Sequence, residues 1–172
     1  MSTIIIEKSG KSDQDFENIA WVLNARSDDK TRPNLMDVYS DKGLIVCTDG
    51  ARLHTYTPTR EIPDGLYTIK TATKKLIVLE IDNDNIYPDY ERAFPRCEFK
   101  HTMYCNGNKN PFIHTIYHDF ADDECSFNLD FLVDVYMHDS HLSIAKNPGL
   151  KPLCLYDDLQ NRAALVMPLR NN

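Results

Sequence analysis

The chain has 172 residues, 42% hydrophobic and 26% charged, the make-up of a soluble globular protein with one domain's worth of core. A net charge of −7 excludes a surface that tracks phosphate throughout, though not a local basic patch. The apolar start Ile4-Ile5-Ile6 is too short for a signal peptide or a membrane span, and five cysteines without an export signal fit a reduced, cytoplasmic compartment.

Residues 3–8 read as a first strand. Ser12 or Asp13 then caps a helix whose first turns carry Asp15 and Glu17, acidic where the helix dipole favours them. Phe16, Ile19, Ala20 and Leu23 recur at helical spacing and form one apolar face, with Trp21 just off it as partly buried core or as a subunit contact. Strands follow at 35–39 and 43–47 around the turn Ser40-Asp41-Lys42-Gly43, then at 52–57, 65–69 and 75–81. The last of these is apolar on both faces, which suits a buried strand. A proline-flanked connector covers 87–95. Strands at 99–105 and 112–120 flank the turn Asn106-Gly107-Asn108, and the acidic loop Asp122-Asp123-Glu124 leads into a second helix with Leu129, Leu132, Val133 and Tyr136 on its apolar face. Strands at 141–145, 153–156 and 163–169 close the chain. The expectation is an α+β fold with two long helices packed on curved antiparallel sheets, and no cofactor.

Three separated segments carry a more specific signal. They are Val46-Cys47-Thr48-Asp49-Gly50-Ala51-Arg52-Leu53, Tyr87-Pro88-Asp89-Tyr90-Glu91-Arg92-Ala93-Phe94-Pro95 and Ala164-Leu165-Val166-Met167-Pro168-Leu169-Arg170. In this order, with the last at the C-terminus, they resemble the bacterial DNA sliding clamp, the β subunit of DNA polymerase III. The resemblance implies a DNA-clamp-like domain with a pseudo-twofold internal repeat: a single clamp-type domain over 1–172, made of a first half 1–86, the connector 87–95 and a second half 96–172. It also implies a non-enzymatic replication accessory protein, bacterial or of phage origin. Its partners would be replication proteins whose clamp-binding peptide motifs enter a hydrophobic groove. Clamps act as rings of clamp domains, so a chain of this length would have to form a homo-oligomer to encircle duplex DNA.

Residues matching the clamp's peptide groove are Leu35, Thr48, Gly50, Arg52, Leu53, Pro88, Arg92, Leu165, Met167, Pro168, Leu169 and Arg170, with Ala51 where the clamp has histidine. Leu, Met and Pro give an adaptable apolar surface, and Arg52, Arg92 and Arg170 can rim it. The alternative is that these residues are only strand ends and core. For DNA the phosphate candidates are Arg26, Lys30 and Arg32, the last matching an arginine of the clamp's DNA-proximal loop; a solvated loop accounts for them equally well. Both helices are acidic (Asp13, Asp15 and Glu17; Asp130, Asp134 and Asp139), so duplex DNA is expected to bind weakly. A related module that binds proteins and not DNA is the alternative function.

Other chemistry has thin support. Cys97, His101 and Cys105, and His114 with His118, are spaced by four, but on strands that spacing separates ligands by about 13 Å, too far for one zinc ion. Asp122-Asp123 could hold Mg²⁺ in a nuclease, although a hydrated acidic loop explains the pair better. No phosphate-binding glycine loop, nucleophile elbow or H-E-x-x-H is present.

Overall fold

Asp13 starts the first helix, and the way it does so ties down the N-terminal third of the protein. In the computed structural model, which describes residues 3–94, 101–105, 107–121, 125–136, 140–146, 150–157 and 159–170, helix α1 spans Gln14–Leu23. The Asp13 carboxylate accepts from the Phe16 backbone N–H at 3.0 Å, and from the Ser9 N–H at 2.8 Å and hydroxyl at 2.9 Å. These bonds, the Ser9 backbone N–H foremost, pull the Asp13 carboxyl down to about 2. We expect Asp13→Ala to cost about 1–2 kcal/mol at neutral pH in urea unfolding. Because the folded value lies below the unfolded one, this contribution is present above about pH 4 and disappears as pH falls through about 2.

The chain divides into two compact units, Met1–Pro88 and Asp89–Asn172. In the first, α1 lies between β1 (Thr3–Glu7) and a meander of β2 (Val38–Asp41), β3 (Leu44–Thr48) and β4 (Arg52–Tyr56), followed by the hairpin β5 (Gly65–Ala72) and β6 (Leu76–Asp82). The strands follow the order β1-β6-β5-β2-β3-β4, each neighbour antiparallel. The β2–β3 turn places Lys42 at φ 51° and Gly43 at φ 82°, the left-handed pair of a tight hairpin. Phe16, Ile19, Val22 and Leu23 of α1 bury against Val38, Ile45, Tyr67, Ile77 and Leu79 of the sheet. Trp21 is half-buried against this core and stacks on His54 with ring centroids 4.1 Å apart.

The second unit holds β7 (His101–Cys105), α2 (Lys109–Asp119), β8 (Cys125–Phe127), α3 (Leu129–Val135), β9 (Ser140–Lys146), β10 (Leu153–Asp157), β11 (Arg162–Val166) and β12 (Pro168–Arg170). Strands β7, β9, β10 and β11 are antiparallel in that order, and β12 pairs with β8. Asn128 caps α3 by accepting from the Asp130 N–H at 2.8 Å. Strand, helix and three-stranded meander therefore occur once in each unit, as β1-α1-β2-β3-β4 and as β8-α3-β9-β10-β11.

Three sequence expectations are corrected. The segment 112–120 is not a strand: it is the body of α2, so the described residues hold three helices rather than two. Asn108 caps it, Pro111 sits in the first turn where its missing N–H costs nothing, and Phe112, Ile116 and Phe120 bury one side at helical spacing. Leu35 is not in a strand either, because Pro33 fixes a single 3-10 turn over Pro33–Leu35 and β2 begins at Val38. The predicted strand 163–169 is two strands, β11 and β12, broken at Met167.

Candidate functional site

The Thr48-Asp49-Gly50-Ala51-Arg52 segment is a turn that closes on itself between β3 and β4. Thr48 Oγ1 accepts from the Gly50 N–H at 3.0 Å and donates to the Arg52 carbonyl at 2.6 Å. Asp49 Oδ1 accepts from the N–H groups of Ala51 at 2.8 Å and Arg52 at 2.9 Å. Gly50 adopts φ 91°, and a Cβ there would come within 3.1 Å of Arg32 Nη1, so glycine serves both the backbone and the close approach of a guanidinium. The Arg52 guanidinium pairs with Asp49 at 3.2 Å and donates to the Asn24 carbonyl at 2.8 Å, fastening the turn to the C-terminal end of α1. As a groove rim this arginine is already committed within its own unit.

The apolar residues sort by exposure. Leu53, 4% exposed, Leu35 and Leu165 are buried and present no surface to solvent. Met167, at the break before β12, and Leu169 within it do, at 40% and 48%. Pro168 between them is half-buried, and Arg170, Pro88 and Arg92 are exposed. Arg92 pairs with Asp89 at 2.7 Å within the short turn Tyr90–Ala93. The open apolar side chains among the predicted groove residues are thus Met167 and Leu169, with exposed Pro88 elsewhere, and the Thr48–Arg52 turn is a hydrogen-bonded backbone feature of the first unit.

The DNA candidates are dispersed. Arg32 is held by Asp29 at 3.1 Å and lies against Gly50. Lys30 is exposed. Arg26 lines a hollow of about 570 Å³ between α1 and the β5–β6 turn, which also gathers Lys8 and Lys74 around Phe16, Leu23 and Ile77. The sequence reading missed this hollow, since Lys8 and Lys74 are brought to Arg26 only by the β1–β6 pairing. The acidity of α1 is also smaller than its sequence implies. Asp13 and Asp15 both pair with Arg60, Asp15 further accepts from the Tyr56 hydroxyl and the Thr59 N–H at 2.8 Å each, and Glu17 pairs with Lys8. On α3, Asp130 is exposed and Asp134 half-exposed, with no basic residue in its last turn.

Cys47 and Cys105 offer no activated nucleophile. Burial pushes the Cys47 thiol far up and the Cys105 thiol to about 11, so both stay protonated at neutral pH. Among the described residues no three His, Cys, Asp or Glu side chains gather to hold a metal ion. Cys97, Asp122, Asp123 and Asp139 lie outside the described residues. No described helix is long and apolar enough to cross a membrane.

Comparison with solved structures fits this geometry to a known architecture. The DNA polymerase III β chain from Streptococcus pneumoniae aligns over 99% of this chain with a TM-score of 0.64 at 15% identity, and the DNA polymerase sliding clamp from Bacillus subtilis over 99% with 0.62 at 14%. The fold is that of a bacterial sliding clamp. The Thermotoga maritima β subunit agrees, with a TM-score of 0.60 at 14% identity across 99% of the chain. This chain spans 65% of the S. pneumoniae and B. subtilis clamp chains and 66% of that from T. maritima. In sequence, no family model matches it and neither does any curated protein. The clamp fold accounts for the strand–helix–meander unit appearing twice.

Proposed function

We propose that this protein is a non-enzymatic, clamp-like accessory factor of DNA replication that holds partner proteins by a short peptide. The peptide would lie along the exposed Met167-Pro168-Leu169-Arg170 segment of the second unit. The observation that carries the reading is the exposure of Met167, at the break between β11 and β12, and of Leu169 on β12, while every residue of β11 is buried. An exposed, adaptable thioether and an exposed leucine two residues apart suit an aliphatic or aromatic anchor. Solved clamps of this fold include one from Borrelia burgdorferi in complex with a natural product and one from Bartonella birtlesii bound to griselimycin. Acting on DNA as a ring would require several copies of the chain, and the site of action would be the cytoplasm.

Titration calorimetry tests the groove. A clamp-binding peptide with a leucine-phenylalanine anchor should bind with micromolar affinity, on the order of −8 kcal/mol. Met167→Ala should weaken it by about 1–3 kcal/mol and leave unfolding unchanged, because the side chain is largely outside the core. Absence of binding by the wild-type chain would remove the groove from the account.

A second reading, an interaction module that does not itself hold DNA, is favoured by the net charge of −7 and by α3 having no basic residue in its last turn. Both readings predict weak duplex binding at physiological salt, read by fluorescence anisotropy. Tight binding with a steep salt dependence would contradict them, and Lys8, Arg26 and Lys74 around the α1 hollow are then the cations to replace, ahead of Lys30 and Arg32.

A further inference from the structure

The helical form of α2 changes what two of its histidines can do. One helical turn apart, His114 and His118 share a face of α2. Their ring centroids are 5.7 Å apart and their planes 14° from parallel. Both rings are on the solvent side, His118 at 73% side-chain exposure, whereas Phe112 and Ile116 take the other side into the core. His118 Nδ1 lies 2.6 Å from Asp119 Oδ1. With the proton on Nδ1 and donated to that carboxylate, Nε2 keeps its lone pair and faces away from Asp119. A carboxylate behind an imidazole is the arrangement that fixes the tautomer and raises the basicity of a metal-ligating histidine.

We propose that His114 and His118 form a two-histidine site on α2 for a borderline divalent cation of the zinc, nickel and copper class. Small rotations of the exposed rings bring both lone pairs to one ion, and water fills the remaining positions. Imidazole donors select this class over Mg²⁺ and Ca²⁺, which take oxygen ligands. Asp119 is a positioning residue: its carboxylate serves the His118 ring, and the ion takes two protein ligands. With two ligands rather than the four of a structural zinc, the ion exchanges readily and does not hold the fold together. The site is independent of the peptide groove.

Calorimetric titration of the full chain with nickel chloride and with zinc chloride tests the assignment. At neutral pH we expect one equivalent of each metal that His114→Ala and His118→Ala each abolish. The thermal unfolding of the metal-free variants should match wild type, since both side chains are exposed. Asp119→Asn should retain the equivalent with affinity lower by about tenfold. Failure of the wild-type chain to bind, or histidine variants that bind as it does, overturns the site; an unchanged Asp119→Asn affinity overturns the role given to Asp119. Magnesium chloride should give no heat, and competition by magnesium for the nickel equivalent would count against the imidazole ligands.

Discussion

Replacing Arg162 by methionine should destabilise the second unit by about 3–5 kcal/mol, among the larger effects open to a single substitution. Arg162 and Asp157 face each other across the first pair of the β10–β11 hairpin, with Nη2 2.8 Å from Oδ2 and side chains 7% and 0% exposed. Methionine fills much of the arginine volume, so the loss is not a cavity effect. It comes from leaving the Asp157 carboxylate buried without its cation. Combining Arg162→Met with Asp157→Leu should recover most of the loss, because an apolar pair of similar volume removes both desolvation penalties together. Chemical denaturation of the two single variants and the double variant gives the coupling directly. Additive losses would mean that the pair is solvated in the folded protein.

Asp37→Asn should have the opposite sign and a strong pH dependence. Burial, and then the neighbouring Asp82 carboxylate, push the Asp37 carboxyl up to about 6 from an ordinary 3.8. Asp82 itself is held low, first by the Asn85 side chain and then by the Asp84 N–H at 2.8 Å. Two carboxyls share one site, and Asp37 is the one that keeps the proton. The folded state therefore binds that proton more tightly than the unfolded chain. Stability is highest below about pH 4 as far as this group is concerned, and falls as pH rises through about 6. A shift of about two units corresponds to about 3 kcal/mol at neutral pH. Asparagine carries no charge and still offers an N–H to Asp82. The variant should be more stable than wild type by about 2–3 kcal/mol at pH 7 and equal to it near pH 4, with its advantage developing between those values. Urea midpoints across that range check the prediction, and an advantage independent of pH would contradict it.

Local chemistry was the legible part of the sequence. Asp13, one of two candidate helix caps, the Phe16 to Leu23 stripe and the Lys42-Gly43 hairpin are each decided within a few residues, and each is present. The first helix of the second unit, α2, was hidden because Phe112, Ile113, Ile116, Tyr117 and Phe120 are strand formers by composition. Their four-residue spacing and the Asn108 cap were the signals that outweighed composition. That misreading also set His114 and His118 about 13 Å apart, when one helical turn separates them.

Long-range pairing was not legible. Asp15 meets Arg60 from 45 residues away, which turns a carboxylate expected to repel DNA into a tie between α1 and the loop after β4. Lys8 and Lys74 join Arg26 only because β1 pairs with β6. Exposure was equally hidden within the C-terminal motif. Leu165 and Leu169 are the same residue type four apart, yet one is core of β11 and the other open on β12, a difference set by the break at Met167.

The claim that this clamp-fold protein holds a partner peptide along Met167–Arg170 is tested most directly by amide hydrogen exchange with and without the leucine-phenylalanine peptide. Protection should increase over 166–170 and should be lost with Met167→Ala at the same peptide concentration. Protection confined to other segments, or none at saturating peptide, would contradict the account.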